Sequence, residues 1–169
     1  VEALDGGLEV LESLETIAKR QGLEVSVSDL NIESTVADEE MASFLNVAVG
    51  AKLTRVRRVI RADSRPVAYL VDTLPEDVLY AKDLPADFHG SVLDFLLSRG
   101  DSLTSSRANV SAIGATADVA KPMEIQRGDV LLHIGLDGFT EPGHRFADQA
   151  RPAPRQGAEP VRRVAALQA

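Results

Sequence analysis

The stretch from residue 53 to residue 74 constrains this chain more than any other. LTRVRRVIRA (53–62) and PVAYLVDTL (66–74) are two runs rich in β-branched and aliphatic residues, separated by Asp63-Ser64-Arg65. Such a pair reads as a β-hairpin with a three-residue loop. Pro66 suits the first position of a strand, where its missing N–H matters least, and Pro75 marks the exit. Side chains alternate faces along a strand. The even face of the first run reads Thr54, Val56, Arg58, Ile60, Ala62. The odd face reads Leu53, Arg55, Arg57, Val59, Arg61, and is expected to be the wet one.

Arg58 is then a lone cation on an apolar face. A buried guanidinium needs a partner, because its desolvation is otherwise costly. A three-residue loop sets Arg58 opposite Leu70 and diagonal to Asp72, all on one face. Two readings stay open. Asp72 closes an internal ion pair, or the forked donors of Arg58 await an anionic ligand.

The rest of the chain supplies further strands and short helices. LEVLESLETIAKRQ (8–21) has Leu11, Leu14, Ile17 and Ala18 at helical steps, with Gly22 as a stop. Residues 25–36 read as a strand with Leu30, Ile32, Ser34 and Val36 on one face. Asp38 is a good N-cap for a helix through Leu45. Ser91, with Asp94 three residues on, is a capping-box start for a helix whose core side is Val92, Leu93, Leu96 and Leu97 and whose stop is Gly100. Strands are expected at 103–113 and 129–136, with a helix between them from Asp118 to Ile125 whose first turn tolerates Pro122.

A repeat runs through this order. The block strand–Ala37-Asp38–helix–Gly50–strand returns as strand–Ala117-Asp118–helix–Gly128–strand. Two β-α-β-β halves of this kind predict an α+β domain, with one mixed, mainly antiparallel sheet and helices on one face. The domain is expected over 1–146. Residues 147–169, rich in Ala, Pro and Arg, show no strand alternation and are expected to form an irregular or disordered tail, or a basic arm that touches a partner.

Composition excludes several functions. The 169 residues carry a net charge of −8, which argues against direct binding to a phosphate backbone. There are no cysteines, hence no disulfide, no thiolate metal site and no cysteine nucleophile, which fits a reducing, cytoplasmic setting. No apolar run is long enough to span a membrane. Val1 is not an initiator Met, so upstream sequence is expected to be missing. His89, His133 and His144 lack metal-ligand spacing, and His133 reads as structural within its strand. There is no Gly-x-Ser-x-Gly and no phosphate-cradling glycine loop. No catalytic residue, metal or cofactor is therefore expected. The helix start at Gly90-Ser91-Val92-Leu93 offers free N–H groups to an anion, or simply a cap made by Ser91.

Several of these pieces, in this order, resemble the UTRA domain, the effector-binding domain of HutC-subfamily GntR-type transcription regulators. They are SLETIAKRQG (13–22), Ala37-Asp38-Glu39-Glu40 leading to Gly50, and RVIRADSRPVAYLVDTLP (58–75). GSVLDFLLSRG (90–100), Ala117-Asp118 and GDVLLHI (128–134) complete the set. The resemblance implies the chorismate-lyase-like fold, a homodimer, and a small anionic metabolite as ligand. It also implies that DNA is reached only through a winged helix-turn-helix domain that these residues do not contain. The fold adds two alternatives, a chorismate-lyase-like enzyme and an effector-free dimerisation module. By position, the resemblance implies ligand contacts at Arg58, Ile60, Leu70, Ser91, Val92 and Leu93, and near Ser13 and Leu14. Where sugar-phosphate sensors carry a second Arg and an acid, this chain has Ile60 and Leu70, which favours a smaller or more apolar anion. The family's closing strand, rich in Tyr and Phe, has no clear match in 139–149, so the sheet is expected to lack a strand.

Overall fold

The computed structural model describes residues 16, 19–20, 22–101, 103–140 and 159–168. Along the chain it forms β1 (Val25–Val36), α1 (Glu39–Leu45), β2 (Lys52–Ala62), β3 (Arg65–Pro75), a 3-10 turn (Ala81–Asp83) and α2 (Val92–Arg99). There follow β4 (Leu103–Gly114), α3 (Ala117–Ala120), β5 (Val130–Thr140) and β6 (Glu159–Gln168). The strands build one six-stranded sheet in the order β1-β2-β3-β6-β5-β4, and every neighbouring pair is antiparallel. The order reads the same outward from its centre. One half is β1-α1-β2-β3, the other β4-α3-β5-β6, and they meet at β3 and β6.

The repeat is tighter than the sequence spacing suggests. In the first half Ala37 N donates to Ala51 O and Gly50 N to Ala37 O. In the second, Ala115 N donates to Asp129 O and Gly128 N to Ala115 O. Each atom finds its counterpart 78 residues on (37 to 115, 50 to 128). The same step joins buried Ala42 to Ala120, Leu45 to Met123 and Leu53 to Leu131. It also joins two left-handed turn residues, Asn46 and Glu124, and two left-handed glycines, Gly50 and Gly128. Ala117-Asp118 is therefore not the counterpart of Ala37-Asp38. Ala115-Thr116 is, because backbone pairing rather than dipeptide identity fixes the equivalence.

The two helices differ in length for local reasons. The Asp38 carboxylate accepts from Met41 N at 2.7 Å and caps α1, as its sequence position predicts. Thr116 makes no side-chain cap bond to α3. Pro122 lacks the N–H that a further turn would use, so α3 ends at Ala120 instead of running to Ile125. The Ser91 hydroxyl accepts from Asp94 N at 3.3 Å and starts α2, and Gly100, in the left-handed region, stops it.

Two bulges tune the first half of the sheet. An extra residue lies in β1 between Ser28 and Asn31, where Asp29 takes a positive φ. It returns Leu30 and Ile32 to the face already held by Val25 and Val27. The hairpin loop is shorter than expected: Asp63 and Ser64, both at positive φ, form a two-residue turn. A second irregularity, between Ile60 and Arg61, then restores the expected pairing of Arg58 with Leu70.

Both faces of the first half are covered. Even-row Val56, Leu74 and Ile32 pack with Leu79, Leu84, Phe88, Val92 and Leu96, which sets α2 on that side. Odd-row Leu53 packs with Ala42 and Leu45, which sets α1 on the other. Tyr69 and Leu131, also odd-row, pack with Ala120 and Val119, so α3 shares the face of α1. The helices of the two repeat units thus lie on one side. The odd face is not simply wet, since Leu53 and Val59 are fully buried while Arg55, Arg57 and Arg61 keep partial exposure.

The end of the chain departs most from expectation. Residues 159–168 are strand β6, seated between β3 and β5, so the sheet does not lack a strand and this part of the expected irregular tail is ordered. The gap between two strands with unpaired backbone groups overrides a weak local preference. The expected helix at 8–21 falls mostly outside the described residues.

Candidate functional site

Alternation along β2 puts Arg58 between Val56 and Ile60 on the face that α2 covers. Alternation along β3 puts Asp72 between Leu70 and Leu74 on the same face. The guanidinium and the carboxylate are 0% and 1% exposed, and Arg58 Nη1 donates to Asp72 Oδ2 at 2.5 Å. The internal ion pair foreseen from the hairpin register is present. Neither group could be buried here alone at an acceptable cost, since removing one partner of such a pair typically costs about 3–5 kcal/mol.

The pair stands on a seam. On one side Val56 and Leu74 belong to the cluster that includes Val92 of α2. On the other, Ile60 and Leu70 belong to a cluster with Ala68, Val25, Val27 and Ile134. The site residues Arg58, Ile60, Leu70 and Asp72 therefore share one face, and the start of α2 packs onto it through Val92. Ser91 is buried beside Val92, and Leu93 is half-buried. Ile60 and Leu70 are core residues, each nearly fully buried. Ser13 and Leu14 lie outside the described residues.

The remaining polar groups are structural or exposed. Thr54 Oγ1 donates to Leu79 O at 2.5 Å, tying the loop after β3 to β2. On the odd face Arg57 reaches Asn31 and Glu33, and Arg61 reaches Ser28 and Glu124. His133 is half-buried on the odd face, 3.3 Å from Ser111 Oγ, and exposed His89 turns Nδ1 to Asp87 O. Among the described residues no group of three or more His, Asp or Glu side chains could hold a metal ion. No helix among them is long and apolar enough to cross a membrane.

Sequence reasoning missed one strand that borders this site. In β6 the positions Val161, Arg163, Ala165 and Leu167 alternate with Pro160, Arg162, Val164 and Ala166. Both rows hold one Arg among apolar residues, so the segment carries no period-two contrast by which it could be read as a strand. VRRV at 161–164 repeats VRRV at 56–59, the core of β2.

The comparisons with known proteins agree with this architecture. Among curated proteins none matches the sequence. PhnF from Mycobacterium smegmatis superposes with a TM-score of 0.76 at 21% identity, covering 94% of this chain and 64% of that one. The chain thus spans less than two thirds of that relative. The effector domain of PhnF alone gives a TM-score of 0.74 at 21% identity, covering 92% of this chain and 88% of that one. A transcriptional regulator of the GntR family from Enterococcus faecalis gives 0.63 at 16%, covering 84% and 92%. At these identities the likeness establishes the fold, the α+β arrangement of the chorismate-lyase-like kind. The family itself comes from the sequence: the model of the UTRA domain matches residues 20–143, and the chain belongs to that family.

Proposed function

We propose that this chain is the sensing module of a GntR-type transcription regulator of the HutC subfamily, which binds a small anionic metabolite and works as a cytoplasmic homodimer. The DNA would be held by a winged helix-turn-helix domain joined to it. The observation that carries this reading is the match of the UTRA domain to residues 20–143, on a fold shared with the effector domain of PhnF. The ion pair satisfies Arg58 in this arrangement, so an oxyanion would reach its fork by sharing or displacing Asp72. Ser91, Val92 and Leu93 at the start of α2, and Ile60 and Leu70 beside the pair, would form the rest of the contact. Ser13 and Leu14 are further contacts that the family resemblance implies. A ligand seated between the halves, with different affinity for two arrangements of the dimer, would shift the population between them. The family match and the regulator domains that share the fold support a sensor over an enzyme.

The test is thermal unfolding of the chain against sugar phosphates, phosphonates, amino acids and carboxylates. The control is Arg58→Met/Asp72→Leu, which removes both charges together and leaves neither stranded. A ligand at 100 times its dissociation constant should stabilise the wild type by about 2.7 kcal/mol. The double variant should lose that gain. A gain that survives in the double variant would reject the pair as the anchor.

A further inference from the structure

The two edges of the sheet are finished differently. β1 closes one side, and it is guarded. It carries Asp29 and Glu33, and the bulge at Asp29 breaks its ladder. Charges and bulges of this kind keep an exposed strand from pairing with another chain. β4 closes the other side, and from Ser105 to Gly114 no bulge interrupts its register with β5. The segment ANVSAIGATA (108–117) holds no charge and no proline. Asn109, Val110, Ser111, Ala112, Ile113 and Gly114 are all exposed, whichever face they occupy.

The backbone directions along that edge follow from one bond. Ala115 N donates to Asp129 O at 2.8 Å, so the odd-numbered residues before it turn their N–H and C=O toward β5. Those of Ala108, Val110, Ala112 and Gly114 point away from the sheet, where no strand among the described residues meets them. An uncharged, unbroken edge of this length is a template for another strand. It offers a foreign sequence no charge to read. A second copy of the same edge needs none, because antiparallel pairing about a two-fold axis matches the strand to itself and sets outward residues against outward residues.

We propose that β4 is the dimer surface of this chain, and that two copies join there by antiparallel pairing about a two-fold axis at Ser111. This rests on the dimeric part of the sensing reading above and gives it a place. In this register Val110 meets Ala112 of the partner subunit, Asn109 meets Ile113 of the partner subunit, and Ser111 meets its own counterpart. Arg107 falls opposite Ala115 of the partner subunit, so no cation faces its own copy across the axis. Val110 and Ile113, exposed in the single chain, pack across the junction on opposite faces. The two six-stranded sheets become one continuous sheet.

The experiment uses the full 169-residue chain, whose lack of cysteines lets a single introduced thiol report the contact. Sedimentation over a dilution series gives the dimer dissociation constant of the wild type, Ala112→Pro and Val110→Lys. Proline at 112 removes an outward N–H and leaves the ladder to β5 intact. Val110→Lys alone decides should circular dichroism show the proline variant unfolded. Ser111→Cys is treated with oxidised glutathione, with Ser26→Cys, exposed on the β1 edge, as the control. Opposite residues of a non-hydrogen-bonded antiparallel pair stand about 4.5 Å apart at Cα, within the reach of a disulfide. The expected result is a wild-type dimer that weakens roughly tenfold or more in either edge variant. Ser111→Cys should give a reducible covalent dimer, and Ser26→Cys should not. A dimer that keeps its affinity in the edge variants, or cross-linking as efficient from position 26 as from 111, would overturn the β4 junction and leave the dimeric reading standing on another surface. Growth beyond the dimer would overturn the closed two-fold. A wild type that stays monomeric up to its solubility limit would overturn the junction and the dimeric reading together.

Discussion

The two halves of the sheet follow one plan and differ in how thoroughly it is carried out. In the first, α1 has seven residues, a carboxylate cap and a cluster that includes Leu53, Ala42, Leu45 and Phe44. In the second, α3 has four residues, no side-chain cap, and a smaller group around Leu131 that borrows Tyr69 from the other half. The even face of the first half lies under α2. The same face of the second half leaves Val110 50%, Leu132 40% and Val130 67% exposed. Identical topology therefore does not imply equal stability. The first half is built as a platform, and the second leans on it.

The largest effect should come from the buried ion pair of the first half. Arg58→Ala or Asp72→Ala should destabilise by about 3–5 kcal/mol in urea unfolding, while Arg58→Met/Asp72→Leu should stay near the wild type. Equal losses in all three would show that packing, and not charge compensation, sets the cost. Next come the equivalent leucines. Leu53→Ala and Leu131→Ala should each cost about 2–5 kcal/mol, with Leu53 nearer the upper end because more side chains surround it. The reverse order would break the platform picture.

Smaller effects sharpen it. Asp38→Ala should cost about 1 kcal/mol through loss of the cap. Thr116→Asp, which gives the second half the first half's residue at the matching position, should stabilise by up to about 1 kcal/mol. No gain there would mean that the brevity of α3 comes from Pro122 alone. Smallest of all, Leu132→Lys should change stability by no more than about 0.5 kcal/mol in the monomer. A larger loss that depends on protein concentration would show this face to be covered in an assembly.

The first half was largely legible in the sequence. Long alternating runs, a good N-cap at Asp38 and a polar turn at 63–65 each point to one structure, and the pairing of Arg58 with Leu70 follows from them. That pairing is reached by a different route, a two-residue turn plus a bulge, because periodicity reports faces and not the residue at which a ladder slips. The repeat was visible, but its phase was not. Ala117-Asp118 matches by letter, whereas Ala115 matches by hydrogen bonding. β6 was hidden because its place depends on an open slot between two distant strands, and local composition carries no trace of a neighbour's unpaired backbone. Of the site, the ion pair could be derived from one hairpin, while the packing of the start of α2 beside it depends on contacts between distant elements.

That closing strand has a consequence for how the chain is made. The inner edge of β3 meets its partner only when residues 162–167 have been synthesised, after the rest of the second half. On the ribosome the N-terminal hairpin must wait with that edge bare. Nascent-chain aggregation and chaperone capture should therefore concentrate in the interval between the emergence of Pro75 and the arrival of the final strand.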